Sequence, residues 1–89
     1  MVEAKVEISN KLGLHARAAA KLSHLANSFH SDIFLVYNSD RVNAKSLLGI
    51  LTLAASVGTT ITISASGKDE KEAVTTLADL FQRKFDEEN

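Results

Sequence analysis

The spacing of apolar residues switches repeatedly between a strand period and a helix period, and this constrains the fold of the chain most strongly. Over residues 2–8 the even positions are apolar and the odd positions are charged. This alternation predicts a strand with one face in water. From Ala16 the apolar residues recur at steps of three and four, which is typical of a helix face. They are Ala19, Leu22, Ala26 and Phe29.

The same two spacings predict the middle of the chain. Residues 32–37 are rich in β-branched and aromatic side chains, and a turn followed by a short strand over 41–44 makes a hairpin. Ser46 precedes an apolar run, as the N-cap of a short helix would, and we expect Gly58 to end that helix. Alternation then predicts a strand over residues 59–66.

The last predicted element is an amphipathic helix that runs into the acidic residues 86–88. Its apolar residues are Val74, Leu77, Phe81 and Phe85. Asp69, followed three positions later by Glu72, predicts a capping box at its start. The order β-α-β-β-α-β-α indicates an α+β fold in a single domain over residues 1–89, with one four-stranded sheet covered on one face by helices.

Composition excludes several classes of protein. Ten basic and eleven acidic residues give a formal net charge of −1, which argues against a general nucleic-acid binder. The absence of cysteine excludes disulfide scaffolds and thiol nucleophiles. The longest apolar run, residues 33–37, is too short to insert in a membrane, and the charged first residues do not resemble a signal peptide. We therefore expect a soluble, cytoplasmic protein.

The segment around His15 is the first candidate for chemistry. Gly13 ends a loop, His15 lies at or next to the N-cap of the first helix, and Arg17 lies in its first turn. The free amides of Ala16 and Arg17 make this helix end an anion site, which favours a neutral, nucleophilic histidine. The Arg17 guanidinium can hold phosphate oxygens. The segment could accept a phosphoryl group on the ring, or His15 could simply be a solvent-exposed loop histidine.

Ser46 is the second candidate, with the N-cap as its structural role. Phosphorylation there would add about two negative charges at a helix end whose dipole tolerates them. The phosphorylated residue would then repel an acidic partner or attract a basic one.

A docking surface is predicted where the polar face of the first helix, which also carries Arg17, meets the apolar helix after Ser46. Charge would steer a partner there and the leucines would hold it, unless those leucines belong to the core. We define this docking surface as Lys21, His24, Leu47, Leu48 and Leu51.

The remaining histidines do not predict a metal centre. His24 lies on the first helix and His30 in the loop after it, and neither has carboxylates or a second histidine at ligand spacing. We expect surface histidines, with no metal and no cofactor.

Three segments resemble the HPr family of histidine-containing phosphocarriers of the bacterial phosphoenolpyruvate-dependent sugar phosphotransferase system. Residues 10–17, N-K-L-G-L-H-A-R, are similar to its active-site signature, 45–51 to its regulatory serine segment, and 58–67 to its last strand. The likeness covers essentially the whole chain. It implies a four-stranded antiparallel sheet backed by three helices, called an open-faced β-sandwich.

The resemblance also implies a function. His15 would take phosphate on Nδ1 from phosphorylated enzyme I and pass it to IIA components, and Arg17 would shift between the two states. Ser46 would be the target of an ATP-dependent HPr kinase/phosphorylase. From its size alone, we expect such a shuttle to be a monomer. Ala18 stands where the signature usually has proline. This loosens the start of the helix, which should alter rate more than mechanism.

Three alternatives stay open at this point. Residues 10–13 also resemble the nitrogen-branch paralogue NPr, which implies a regulatory phosphorelay without sugar transport. A signalling module could depend on Ser46 alone, with His15 vestigial. A ferredoxin-like RNA binder shares the order β-α-β-β-α-β. It would need exposed aromatic residues and a basic excess, whereas the last strand presents Thr60, Thr62 and Ser64.

Overall fold

The computed structural model describes residues 1–87 and has the predicted order of elements. The predicted Glu88 at the acidic end lies outside the described residues. The elements are β1 (Val2–Glu7), α1 (Ala16–Ala26), β2 (Asp32–Tyr37), β3 (Asp40–Asn43), α2 (Leu47–Thr52), β4 (Thr60–Ser66) and α3 (Glu70–Gln82), followed by a single turn, Lys84–Asp86.

The four strands form one antiparallel sheet in the order β1-β4-β2-β3. Residues paired across all four strands form an apolar row on its inner face: Ala4, Ile63, Leu35 and Val42. Helix α3 packs on β1 and β4, and α1 packs against α2 and α3. The odd residues of β1, by contrast, are exposed. The prediction of an open-faced β-sandwich with three helices is therefore confirmed.

Helix α1 buries the predicted alanine-rich face. Ala18, Ala19, Leu22 and Ala26 are fully buried, and the small side chains let the helix lie close to its neighbours. The helix ends at Ala26, so Phe29 does not continue its apolar face but packs partly buried beyond its end. Helix α1 ends here because the side chain of the next residue, Asn27, caps it. Asn27 Nδ2 donates to the carbonyl oxygens of Ser23 and Lys45 at 2.7 and 3.0 Å.

The prediction that Gly58 ends the second helix is wrong. Helix α2 ends at Thr52, and Ala54 adopts a positive φ of 49° just after it. The chain turns early because Leu53 and Ala55 are both buried in the core. Ala54 thus occupies the left-handed position that glycine usually takes at a helix end.

The predicted capping box of α3 is also wrong, because Asp69 makes no side-chain bond to its own helix. Its carboxylate accepts instead from the backbone N–H groups of His30 and Ser31, both at 2.9 Å, and from the Ser31 hydroxyl. Asp69 therefore clamps the start of α3 to the start of β2. The carboxylate that reaches back is that of Glu70, which accepts from the Gly67 N–H at 3.2 Å.

Phe85 reaches the core by a route that helical spacing does not predict. Helix α3 ends at Gln82, and Lys84, Phe85 and Asp86 have φ values of 56°, 56° and 61°. This left-handed turn folds Phe85 back into the core, where its ring meets that of Phe81 edge to face at a centroid distance of 5.0 Å. The chain after residue 83 consequently runs back toward α1.

The Asp69 clamp predicts a pH-dependent contribution to stability. The bonds from the Ser31 hydroxyl and the His30 N–H lower the pKa of Asp69 from 3.8 to about 2. Since the folded pKa is depressed, the contribution is fully present above about pH 4 and is lost as the pH falls toward 2. Asp69→Asn should lower the melting temperature at pH 7, and the difference from wild type should narrow between pH 4 and 2.

Thermal unfolding followed by circular dichroism at pH 7, 4, 3 and 2 measures this. The matched control is Asp79→Asn, which removes an exposed carboxylate paired with Arg83 on the same helix. It should stay within about 0.5 kcal/mol of wild type. An Asp69→Asn difference that is constant over this pH range would contradict the clamp.

Candidate functional site

The loop between β1 and α1 is held against the segment between α2 and β4. The Leu14 N–H donates to the carbonyl oxygen of Ala55 at 3.0 Å. Gly13 has a φ of 67°, and a Cβ there would lie 2.6 Å from the Ala55 oxygen and 2.9 Å from the Cα of Ser56. Only glycine fits this close approach, which fixes where the chain enters α1.

His15 is the N-cap residue of α1, as predicted. Its backbone is extended, and its ring turns toward the helix so that Nδ1 accepts from the Arg17 N–H at 3.3 Å. The side chain is 28% exposed. The ring therefore lies over the free amides of the first turn, with Nδ1 on the side of the helix N-terminus.

Glu87 lies on the opposite edge of the His15 ring. Its Oε2 contacts His15 Nε2, and its Oε1 accepts from Asn10 Nδ2 at 3.1 Å. The fully buried Asn10 also donates from Nδ2 to the Gly13 carbonyl oxygen at 2.7 Å. One amide group thus joins the loop before α1 to the segment after α3.

The surroundings of Glu87 keep its carboxylate ionised. Desolvation acts to raise the pKa of Glu87, but the hydrogen bonds from His15 and Asn10, together with the positive charge of Lys21, outweigh it. The pKa of Glu87 is therefore lower than usual. A carboxylate faces the histidine across the neutral pH range.

Three of the predicted site residues, His15, Arg17 and Lys21, lie in one open cleft. It is lined by Leu12, His15, Arg17, Lys21, Asp86 and Glu87. Arg17 and Ala16 are exposed on the first turn, as an anion site requires. Lys21 differs from the prediction of a free docking cation, because it is partly buried and its Nζ donates to the Phe85 carbonyl oxygen at 2.7 Å.

The docking surface divides into exposed and buried parts. Leu48 and Leu47 are 74% and 40% exposed, whereas Leu51 packs partly buried against the core. His24 is exposed on α1, which packs against α2. The prediction that Ser46 is an N-cap is confirmed, since its Oγ accepts from the Gly49 N–H at 3.0 Å.

The part of the chain that the structure describes contains no metal centre. Within residues 1–87 no group of three or more His, Asp or Glu side chains could hold a metal ion. His24 and His30 are both exposed. No described helix is long and apolar enough to cross a membrane.

Sequence reasoning missed Asn10 and Glu87 as site residues. Asn10 belongs to the resembling segment, but no pattern shows that its side chain points inward. Glu87 is separated from His15 by 72 positions, and no periodicity or motif links them. The acidic residues 86–88 were a visible feature, but their position relative to α1 depends on the left-handed turn.

Comparison with known proteins identifies the family. A family model described as the PTS HPr component phosphorylation site matches residues 2–83. The chain belongs to the HPr family. HPr from Neisseria meningitidis serogroup A is 45% identical over 87 residues, which cover 98% of each chain. Members of this family are phosphocarriers of the phosphotransferase system. The resemblance to the HPr family that the sequence motifs indicated is therefore confirmed.

Solved structures of HPr proteins agree with the fold. HPr from Thermoanaerobacter tengcongensis is 46% identical, with a TM-score of 0.96 over 100% of both chains. Crh from Bacillus subtilis, described as a domain-swapped dimer, is 48% identical, with a TM-score of 0.76 over 94% of this chain and 97% of that one. The alternative interpretation as a ferredoxin-like RNA binder is therefore wrong, because the strand order and the relatives of the chain are those of HPr proteins.

The tight packing at Gly13 predicts a difference between two glycine substitutions. Gly13→Ala combines an unfavourable positive φ with a clash against backbone. Gly58→Ala is the matched control, since its φ is 90° but nothing lies within 4 Å of the added Cβ. We expect Gly58→Ala to cost about 1–2 kcal/mol from backbone conformation alone. Gly13→Ala should cost about 1–3 kcal/mol more, from overpacking.

Urea unfolding of the two variants and the wild type measures both costs. Equal destabilisation would show that the loop yields at Gly13 and that this contact does not fix the entry into α1.

Proposed function

We propose that the chain carries a phosphoryl group on Nδ1 of His15, takes it from phosphorylated enzyme I and passes it to a IIA component. The observation that supports this most directly is the orientation of the His15 ring. Nδ1 lies at the N-terminus of α1, in a cleft that also contains the exposed Arg17. Phosphoryl transfer needs in-line positioning and stabilisation of negative charge more than covalent chemistry from the protein.

The contacts of the free His15 ring support a proposal for how a phosphoryl group would be held. The Arg17 N–H that now donates to Nδ1 becomes free to donate to a phosphate oxygen once Nδ1 is bonded to phosphorus. The Arg17 guanidinium adds charge-assisted bonds, and the helix dipole favours the anion. The site is shallow and open, so it stabilises phosphohistidine only modestly. Onward transfer therefore remains favourable.

Partners would reach this site over the docking surface. Leu47 and Leu48 offer exposed apolar area, and Arg17 and His24 offer positive or protonatable groups beside it. Charge would raise the rate of encounter and the leucines would supply the holding contact. The contacts of the His15 ring are completed by Arg17 and Glu87 of the same chain, so the proposed site needs no second copy, and we propose that the carrier acts as a monomer.

We further propose that Ser46 is a regulatory phosphorylation site for an HPr kinase/phosphorylase. Its hydroxyl caps α2 next to the two exposed leucines of the docking surface. A phosphate there would place about two negative charges beside these leucines, while the α2 N-terminus tolerates them. The modification would weaken the binding of an acidic partner without unfolding the helix.

Two related functions are the alternatives. In a nitrogen-branch phosphorelay, His15 chemistry is the same but the final acceptor does not transport sugar. In a signalling module only Ser46 phosphorylation matters. The ordered contacts of the His15 ring favour the carrier over the signalling module, because a vestigial histidine would not need a carboxylate and an amide on its two nitrogens.

The carrier proposal predicts an acid-labile phosphate on His15. Incubation with phosphoenolpyruvate and enzyme I should add the mass of one phosphate, which brief acid treatment removes. His15→Ala should abolish the gain, whereas His24→Ala, an exposed histidine on the same helix, should retain it. Arg17→Ala should accept more slowly, with a stability change below about 1 kcal/mol, as for other surface substitutions.

Intact-mass spectrometry over a time course measures acceptance, and circular dichroism checks the fold of each variant. Retained acceptance by His15→Ala would contradict the proposed site. An acid-stable phosphate that appears only with ATP and a kinase would favour the signalling module.

The Ser46 proposal predicts that Ser46→Asp slows phosphorylation by enzyme I while α2 stays folded, because aspartate is also a good N-cap. Ser39→Asp is the matched control, since it adds the same charge in the exposed β2–β3 turn. Phosphorylation reactions are quenched at intervals and analysed by intact-mass spectrometry at several concentrations of enzyme I. The rates give the change in the apparent binding constant for enzyme I. Equal rates for the two aspartate variants would contradict repulsion at the docking surface.

A further inference from the structure

Glu87 is a carboxylate at the site that the family match does not cover, since that match ends at residue 83. Its Oε2 contacts His15 Nε2, while its Oε1 is held by Asn10. The Glu87 side chain is only 13% exposed. These contacts fix both carboxylate oxygens, which an incidental surface contact would not do.

The backbone before Glu87 is held in a conformation that directs it to His15. Three successive non-glycine residues have positive φ, each at a cost of about 1–2 kcal/mol. Burial of Phe85 against Phe81 and the bond from Lys21 Nζ to the Phe85 carbonyl oxygen offset this cost. The turn is therefore anchored on two sides immediately before Glu87.

Both neighbours of the His15 ring select the same tautomer. The Arg17 backbone N–H can only donate, so Nδ1 must present a lone pair to it. An ionised carboxylate can only accept, so Nε2 must carry the proton that faces Glu87. The nitrogen with the free electron pair is consequently the one at the N-terminus of α1, where a phosphoryl group would be bound.

We propose that Glu87 is a positioning residue that holds His15 in the Nε2–H tautomer and balances the ring charge created when Nδ1 accepts a phosphoryl group. The second half of this statement rests on the proposed carrier function; the first half does not. The same logic applies to catalytic triads, where a carboxylate fixes the tautomer of a histidine and stabilises the imidazolium that forms.

The transfer step balances without the movement of a proton. The Nδ1 lone pair forms the new N–P bond, and the bond from phosphorus to the donor atom breaks with its electron pair left on the donor. The Nε2–H remains in place, so the phosphorylated ring is a cation next to the Glu87 carboxylate. When the group moves on to an acceptor, the Nδ1–P bond breaks and the neutral Nε2–H ring is restored.

The other charged groups of the cleft do not take the role of Glu87. Arg17 and Lys21 are cations, and the Lys21 Nζ is bound to the Phe85 carbonyl oxygen. The Asp86 carboxylate is held by the Arg83 guanidinium at 2.8 and 2.9 Å. Asp86 is therefore a matched control, since it is an adjacent carboxylate in the same cleft that bonds another residue.

The test substitutes these two carboxylates by their amides. In Glu87→Gln, Oε1 can keep its bond from Asn10, which turns the new NH₂ group toward His15 Nε2. That nitrogen must then accept, so the ring proton should move toward Nδ1. Two-bond ¹⁵N–¹H spectra of the His15 ring, recorded where the ring is neutral, distinguish the tautomers. The wild type and Asp86→Asn should be almost entirely Nε2–H, and Glu87→Gln should show a several-fold larger Nδ1–H fraction.

A wild-type ring that already populates both tautomers, or a Glu87→Gln ring identical to wild type, would overturn the proposal. Backbone ¹⁵N–¹H spectra confirm that each variant is folded. This measurement needs no partner protein, so it is independent of the carrier function.

Phosphoryl acceptance from enzyme I tests the second half. Glu87→Gln should accept at least about tenfold more slowly than wild type, because a neutral amide does not offset the positive charge that forms on the ring when Nδ1 bonds to phosphorus. Asp79→Asn, which removes a carboxylate of α3 that does not line the cleft, should accept at the wild-type rate. An unchanged rate in Glu87→Gln would overturn the charge-balancing role. A wild-type protein that accepts no phosphoryl group would overturn the carrier function and leave the tautomer result intact.

Discussion

Burial of one apolar face of a four-stranded sheet is the constraint on which the rest of the structure depends. Alternation in β1 and β4 puts Val6, Ile61 and Ile63 on the same side, and the helices must cover that side because nothing else can remove it from water. The alanines of α1 allow this helix to pack closely. Its N-terminus therefore emerges beside the loop that follows β1. The position of the anion site is a consequence of how the sheet is covered.

The buried side-chain amide of Asn10 determines the geometry around His15. Asn10 Nδ2 donates to the Gly13 carbonyl oxygen and to Glu87, and the backbone carbonyl oxygen of Asn10 accepts from the Gly13 N–H at 3.1 Å. When a buried amide loses such partners, the folded protein is destabilised by about 1–3 kcal/mol. Asn10 thus couples the loop before His15 to the segment after α3. The His15 ring lies between the Arg17 backbone N–H and the Glu87 carboxylate, which come from different parts of the chain.

Local patterns in the sequence predict most of this fold. Every described strand and the start of every described helix lie within a few residues of the prediction, since hydrophobic period is a local property. The ends of α2 and α3 differ more. His15 and Ser46 were both placed at helix starts because capping is local too. The errors occur where tertiary contacts decide. Asp69 binds Ser31 instead of its own helix, Ala54 replaces glycine because its neighbours are buried, and Phe85 enters the core through a left-handed turn. Glu87 could not be predicted, because no short-range rule relates it to a residue 72 positions earlier.

The strand order leaves β1 and β3 at the edges of the sheet, and their composition limits what those edges can do. Unpaired edge backbone is a template for strands of another molecule. β3 has only four residues, and β1 carries Glu3, Lys5 and Glu7 on its exposed side. Short length and outward charge both discourage edge-to-edge pairing. The sheet can therefore leave one whole face open to water without becoming a nucleus for aggregation.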